Sequence, residues 1–246
     1  MAKSFAVIIC AAGASSRFGG KKSKPFVNVA GRAAFLYSIE LFSNRNDVKQ
    51  ILLAISPKDE EMVTVQWASN LKFFGVKIFH GGTERFETVK KGLELVKEDI
   101  NLIAVHDAVR CCVTEEWVDK CFAAAAKGGA AILACTVVAT LKKAKDNTII
   151  ETIDRTAFFE AQTPQVFEAK LLRKAYSNLE NLNANNISDD SQLVEALGHP
   201  VTIVETDSSN LKLTHPGDVA VAEAIIKSRS RRGPKGYIGP YAEGQW

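Results

Sequence analysis

The chain of 246 residues has no apolar run approaching the about 18 residues that a membrane-spanning helix needs. Met1-Ala2-Lys3-Ser4 carries one charge and leads straight into a strand-like run, so no secretory signal is expected. Cysteine is sparse and odd in number: Cys10, Cys111, Cys112, Cys121 and Cys135. No C-x-x-C occurs, and several of the five lie in apolar runs. That argues against zinc sites and a disulfide framework, and for buried reduced thiols in a cytoplasmic protein. Charge of one sign is also scarce. The formal net charge is +3, and from residue 227 onward Lys227, Arg229, Arg231, Arg232 and Lys235 face Glu243 alone. The body is therefore close to neutral, which excludes a basic nucleic-acid platform. No internal repeat is visible. Two phosphate-binding signatures are missing as well. Gly20-Lys21-Lys22 does not supply the Gly-Lys-Ser/Thr of a Walker A loop. Gly13-Ala14-Ser15 lacks the second glycine of a dinucleotide fingerprint.

What the sequence does hold is a β-rich run, Phe5-Ala6-Val7-Ile8-Ile9-Cys10, that opens into Ala11-Ala12-Gly13-Ala14-Ser15-Ser16-Arg17, with Lys24-Pro25 close behind. Small side chains let backbone N–H groups approach phosphate oxygens. Arg17 and Lys24 add fixed positive charge. The arrangement suits a nucleoside triphosphate at the carboxyl end of a first strand.

Apolar β-rich runs at 5–10, 51–56, 76–79, 102–106, 131–138 and 201–204 alternate with helical patterns at 33–42, 59–69, 84–96 and 115–126. In the third pattern Phe86, Val89, Leu93 and Val96 recur at helical spacing. The alternation predicts an α/β fold: one Rossmann-like domain with a mostly parallel twisted sheet covered by helices on both sides. Residues 1–227 form that domain and 228–246 a basic, Gly/Pro-containing tail beyond it. Residues 141–153 break the rhythm with a polar, turn-like centre and read as a β-hairpin, part of an arm at about 139–155. A projecting arm needs something to pack on, and a second copy of the chain answers that need.

Further candidate groups follow the later strands. Gly81-Gly82-Thr83-Glu84 can offer backbone groups to a base edge or ribose, or Thr83 can simply cap a helix. Asp107 offers a carboxylate for Mg²⁺ or a ribose hydroxyl, and Arg110 a guanidinium for a phosphate. Ser188 is a candidate cap for a following helix. In Asn210-Leu211-Lys212-Leu213-Thr214, strand alternation would put Lys212 on one face with Asn210 and Thr214.

Taken in order, Ala11-Ala12-Gly13 with Arg17 and Lys24, Gly81-Gly82 with Arg85 and Thr88, His106-Asp107-Ala108 with Arg110, Thr140-Leu141-Lys142, Asp154-Arg155, Gln162-Thr163-Pro164-Gln165, Asp189-Asp190 and Asn210-Leu211-Lys212-Leu213-Thr214 resemble the 2-C-methyl-D-erythritol 4-phosphate cytidylyltransferases over roughly residues 5–226. The resemblance implies CTP as cosubstrate, Mg²⁺ as metal, and a homodimer whose arm reaches the neighbouring site. It implies that Arg17 and Lys24 act on the α-phosphate, and that Arg155 and Lys212 position the attacking phosphate. Ala11, Ala12, Gly13, Gly81, Gly82, Thr88, Asp107 and Ala108 would hold CTP; Arg110, Thr140 and Thr163 would lie with Arg155 and Lys212 at the polyol phosphate. The chain departs from the pattern at Val109, Cys111 and Ser188, and at Ala139, where an Asp is usual. The loss of that carboxylate keeps ribitol 5-phosphate in view as the acceptor. A nucleotide-binding module without catalysis is the alternative of another class, and the set Arg17, Lys24, Arg155 and Lys212 argues against it.

Overall fold

A computed structural model describes residues 3–13, 18, 23–179 and 187–230 of the chain. Strand β1 (Phe5–Cys10) is buried on both faces, with Ala6, Val7, Ile8 and Ile9 fully inaccessible. Helices cover both sides of the sheet, so β1 reads as a continuous apolar run rather than an alternating one. After the short pair β2 (Asn28–Val29) and β3 (Arg32–Ala33) come β4 (Val48–Ile55), β5 (Val76–His80), β6 (Leu102–Asp107) and β7 (Ala130–Thr136). A two-stranded arm follows, β8 (Leu141–Lys145) and β9 (Thr148–Ile153), then β10 (Phe159–Glu168) and β11 (Thr202–Glu205). The main sheet has seven strands in the order β11-β7-β10-β6-β1-β4-β5. All neighbours pair in parallel except those of β10, which runs antiparallel to both β6 and β7.

One face of the sheet packs against α1 (Ala34–Ser43), α2 (Glu60–Phe73) and α4 (Glu115–Gly128). The other face packs against α3 (Arg85–Leu95), α5 (Ala169–Ser177) and α6 (Ser191–Glu195). The predicted stripe on α3 is there: Val89 and Leu93 are buried with Val96, and Phe86 packs against the same cluster. Helix α4 begins with the Thr114 hydroxyl accepting the Trp117 N–H at 3.3 Å and ends at Gly129, whose φ of +85° few other residues tolerate. A third cluster joins Val29, Val109, Cys111, Cys112 and Leu213 to Ala222 of α7 (Asp218–Ser230).

Three features differ from the sequence reading. Strand β10 is an interior strand, paired on both edges, but contains Pro164, and a proline inside a run argues against such a strand. The conflict is resolved by an irregularity: β10 loses register with β7 between Ala161 and Gln165. Residues 211–214 form no strand, and the alternation expected there is replaced by burial of Asn210 and Leu213. Helix α7 continues through 228–230 into the expected tail. Arg229 is bound to the body: it donates to Cys112 O and to Ser209 Oγ (2.6 Å) and lies over the Trp117 ring. Residues 231–246 lie outside the described residues. The hairpin expected at 141–153, by contrast, forms as β8 and β9, its turn made by Asp146 and Asn147 at φ of 50° and 61°. All five cysteines are unpaired, and all but Cys10 are buried.

Phe42 joins α1 to α4 through the Phe122 ring (centroids 6.4 Å) and meets the His106 ring edge-on at 5.3 Å. Phe42→Ala is expected to cost about 3–5 kcal/mol, read as a lower urea midpoint with an unchanged slope.

Candidate active site

Strands β1 and β6 lie side by side in parallel, so Cys10 and Asp107, their last residues, are register partners. The chain builds outward from β1 to β4 and β5 on one side and returns to β6 on the other, which makes this a topological switch point. A cleft of about 260 Å³ opens there. Its walls come from the loop Ala11, Ala12 and Gly13, from Lys24, from Gly82, Thr83, Glu84 and Arg85 after β5, from Thr88 on α3, and from Asp107 and Lys212.

Each wall is held from behind. Ser23 donates its hydroxyl to the buried Asp59 carboxylate at 2.9 Å, and Phe26 stacks on Trp67 at 5.5 Å. Lys24 stands between these two anchors. At the start of α3, Glu87 accepts the N–H groups of Thr83 (2.8 Å) and Glu84 (3.1 Å), so Glu84 and Glu87, and not Thr83, form the cap. Thr88 accepts the Gly82 N–H (2.9 Å) and donates to Glu84 O (3.2 Å). The turn is so tight that a Cβ at Gly81 would lie 2.4 Å from Ala12 Cβ, and one at Gly82 2.4 Å from Glu87 Cβ. These two glycines are required by close approach.

Asp107 is the electrostatic centre. Its side chain is 8% exposed and faces three cations: Lys212 Nζ at 2.7 Å, Arg85 Nε at 3.3 Å and Arg110 Nε at 3.7 Å. Burial works against its charge, but Lys212, Arg85 and Arg110 together hold the carboxyl well below the usual carboxylate range. Arg110 is committed below the cleft, donating to Asn210 O (2.7 Å) and Ala161 O (3.4 Å). Lys212 is held by its neighbours: Asn210 donates to Gln162 Oε1 (2.7 Å), and the Leu213 N–H to Val109 O (3.0 Å). Arg85 donates its other arm to Asp190 Oδ2 at 2.6 Å. Asp190 in turn accepts from the Tyr176 hydroxyl at 2.6 Å, and its N–H donates to Gln165 Oε1 at 3.0 Å.

Behind Asp107, Thr163 accepts the Asp107 N–H (3.0 Å) and hydrogen-bonds His106 Nδ1 (3.2 Å), whose Nε2 meets Ser38 Oγ (3.2 Å). Burial pushes the His106 pKa down to about 3, so the ring is a neutral structural link. Loss of water around the half-buried Cys10 thiol likewise pushes it up to about 12, which makes it a poor nucleophile at neutral pH.

The expected site residues thus divide. Ala11, Ala12, Gly13, Lys24, Gly82, Thr88, Asp107 and Lys212 meet at one cleft. Gly81 lines an adjoining groove, and Ala108 is buried with its N–H on Cys10 O at 3.1 Å. Thr163 and Arg110 lie beneath Asp107 rather than on the wall. Thr140 and Arg155 sit on the arm, outside this cleft, with Arg155 donating to Val138 O. Arg17 lies outside the described residues. Ser188 is no cap; Asp189 Oδ1 accepts the Gln192 N–H at 3.1 Å. Arg85 belongs to the Gly81-Gly82 motif without an expected role, and nothing in the sequence joined it to Asp190 or Tyr176. Among the described residues no three His, Cys, Asp or Glu side chains gather into a metal cluster. A single carboxylate such as Asp107 still fits Mg²⁺, which takes one or two carboxylates and draws its other ligands from phosphates and water.

His106 gives a pH test. Its folded pKa of about 3 is below the unfolded reference, so between about 6.5 and 3 the unfolded chain binds the extra proton and stability falls as pH falls. The stability of His106→Gln, followed by urea unfolding, is expected to fall less steeply through that window, by up to about 1.4 kcal/mol per pH unit.

A sequence model of the family IspD, 2-C-methyl-D-erythritol 4-phosphate cytidylyltransferase, matches residues 5–228. The protein of that name from Endomicrobium trichonymphae is 40% identical over 224 residues, 91% of this chain and 99% of that one. The one from Rhodopirellula baltica is 39% identical over 236 residues, 92% and 96% of the two chains. Among solved structures, 4-diphosphocytidyl-2C-methyl-D-erythritol synthase from Anaerococcus prevotii superposes with a TM-score of 0.78 at 27% identity, covering 92% of this chain and 97% of its own. The 2-C-methyl-D-erythritol 4-phosphate cytidylyltransferase of Thermus thermophilus gives 0.72 at 32% identity, over 90% and 98%. The chain belongs to the 2-C-methyl-D-erythritol 4-phosphate cytidylyltransferase family.

Proposed function

We propose that this chain transfers the cytidylyl group of CTP to 2-C-methyl-D-erythritol 4-phosphate, releasing pyrophosphate and forming 4-diphosphocytidyl-2-C-methyl-D-erythritol for non-mevalonate isoprenoid synthesis. The observation that carries this reading is the cleft itself. Small-residue backbone, Lys24 and Lys212 meet at the carboxyl ends of β1, β5 and β6, in a chain of this family. An oxygen of the acceptor's phosphate attacks the α-phosphorus of CTP. The bond from that phosphorus to the oxygen bridging to the β-phosphate breaks, and its electrons leave with pyrophosphate. A phosphate monoester is already anionic at neutral pH, so no general base is required. In keeping with this, no histidine among the described residues lines the cleft. The protein's task is alignment and charge. Arg17 and Lys24 act on the α-phosphate as its charge rises; Lys212 and Arg155 hold the attacking phosphate. Thr140 lies with Arg155 on the arm, and Thr163 and Arg110 support Asp107 from below. Asp107 would hold a Mg²⁺ ion, which would supply charge neutralisation to the phosphates.

The arm supports a homodimer. It is exposed along nearly its whole length and carries Ile149 and Ile150 into solvent, with Val138 (76% exposed) and Phe158 exposed just outside its base. Large apolar groups exposed on both faces of a hairpin fit an interaction surface. A two-fold dimer would bring Thr140 and Arg155 of one subunit to the cleft of the other.

In a pyrophosphate-release assay CTP is expected to be turned over with 2-C-methyl-D-erythritol 4-phosphate, and UTP to be rejected by roughly 10²-fold or more, because a site that hydrogen-bonds one base edge leaves polar groups unpaired with another. Ribitol 5-phosphate is run beside it because Ala139 removes a carboxylate from the arm. Equal use of UTP, or turnover of ribitol 5-phosphate alone, overturns the assignment.

Subunit mixing tests the shared site. Arg155→Ala and Lys24→Ala chains, each inactive alone, are expected to recover roughly a quarter of wild-type activity when exchanged, since about half the dimers are mixed and one of their two sites is intact. No recovery in a mixture shown to exchange subunits means that Arg155 does not serve the neighbouring site.

A further inference from the structure

The charges around Asp107 do not match one for one. Asp107 and Asp190, whose side chains are 8% and 1% exposed, are two anions; Arg85, Arg110 and Lys212 are three cations. The three cations differ in how firmly they are fixed. Arg110 is 10% exposed and spends its donors on backbone carbonyls beneath the cleft. Arg85 is clamped between the two carboxylates, 3.3 Å from Asp107 and 2.6 Å from Asp190. Lys212 is 42% exposed and, among the described residues, pairs with Asp107 alone, at 2.7 Å. Arg85 and Arg110 by themselves balance the two anions, and Lys212 is the surplus.

Asp190 is well built as an anchor. Its Oδ1 takes the Tyr176 hydroxyl, its N–H goes to Gln165 Oε1, and Gln165 Nε2 holds Asp189 Oδ2 at 2.8 Å. The Gln165 and Asp189-Asp190 motifs, to which the proposed reaction gives no role, therefore converge on the orientation of Arg85. A buried carboxylate stripped of compensation pulls on whatever cation remains. If Lys212 is to be free to turn to an arriving substrate phosphate before any Mg²⁺ is bound, cations of the protein itself must compensate Asp107.

We propose that Arg85, anchored by Asp190, is a positioning residue: beside Arg110 it is a fixed counter-charge of Asp107, and it leaves Lys212 available to the acceptor's phosphate. The second half of this statement rests on the cytidylyl-transfer reading; the first half does not.

The test uses the full-length enzyme without substrates and the double variant Arg85→Gln/Asp190→Asn. The double variant removes one charge of each sign, so no buried ion is orphaned and the surplus around Asp107 is kept. Arg85→Lys retains the cation. Trace acylation with acetic anhydride, read by mass spectrometry, reports how far Lys212 is held on Asp107. In the double variant Lys212 is expected to react roughly fivefold more slowly than in wild type, the scale of a half-exposed ion pair, while lysines remote from the cleft are unchanged. Arg85→Lys is expected to restore most of the rate. With substrates present, the double variant is expected to raise KM for 2-C-methyl-D-erythritol 4-phosphate roughly tenfold and to change KM for CTP less than about threefold, a split that simple loss of folded enzyme does not produce. Unchanged Lys212 acylation in a double variant with native circular dichroism overturns the proposal. If wild type turns over no substrate, the reaction assignment falls, and the acylation result still decides the role of Arg85.

Discussion

A nearly buried carboxylate at the end of a central strand is the constraint on which the rest of the site depends. Asp107 closes β6, in register with the last residue of β1, where little water reaches it. A charge in such a place must be paired, and the pairs come from far apart in the chain: Arg85 from α3, Arg110 from the loop after β6, Lys212 from the segment before α7. Keeping those three cations in place accounts for much of the architecture around them. Thr163 fixes the backbone of Asp107, Asn210 and Leu213 bracket Lys212, and Asp190 bears on Arg85.

The sheet makes this convergence possible. Parallel strands bring their carboxyl ends to one edge, and the order around β1 leaves a cleft between the outgoing and returning halves. The reversed strand β10 contributes something a parallel strand in its place would not. It carries Gln162, Thr163 and Gln165 past the end of β6, where their side chains bind Asn210, Asp107 and Asp190. The irregularity at Pro164 lies in the middle of those three residues. The strand that departs furthest from regular pairing is thus the one that supports the site.

The arm follows a different logic. Its two strands pair with each other and are exposed along most of their length, so they stabilise little of their own domain. In the proposed dimer that exposure is a complementary surface, and the separation of Arg155 from Lys24 within one chain becomes a division of one site between two.

The sequence by itself determined the layered α/β fold, the small-residue turn that follows β1 and the hairpin at 141–153. These are written in local patterns: apolar runs of strand length, the Phe86–Val96 stripe, and turn residues such as Asp146 and Asn147. Family motifs also marked most of the cleft. They marked Thr163 and Arg110 without showing that both lie under Asp107, and they marked Arg85, Gln165 and Asp190 without a task. Strand β10 stayed hidden because its proline and polar residues contradict a buried strand taken alone. The alternation expected around Lys212 failed because Asn210 and Leu213 answer to partners roughly 50 to 100 residues away, not to their neighbours. Only tertiary structure decided the charge balance, because an ion pair between α3 and the Asp190 turn has no period, spacing or composition by which a linear sequence could announce it.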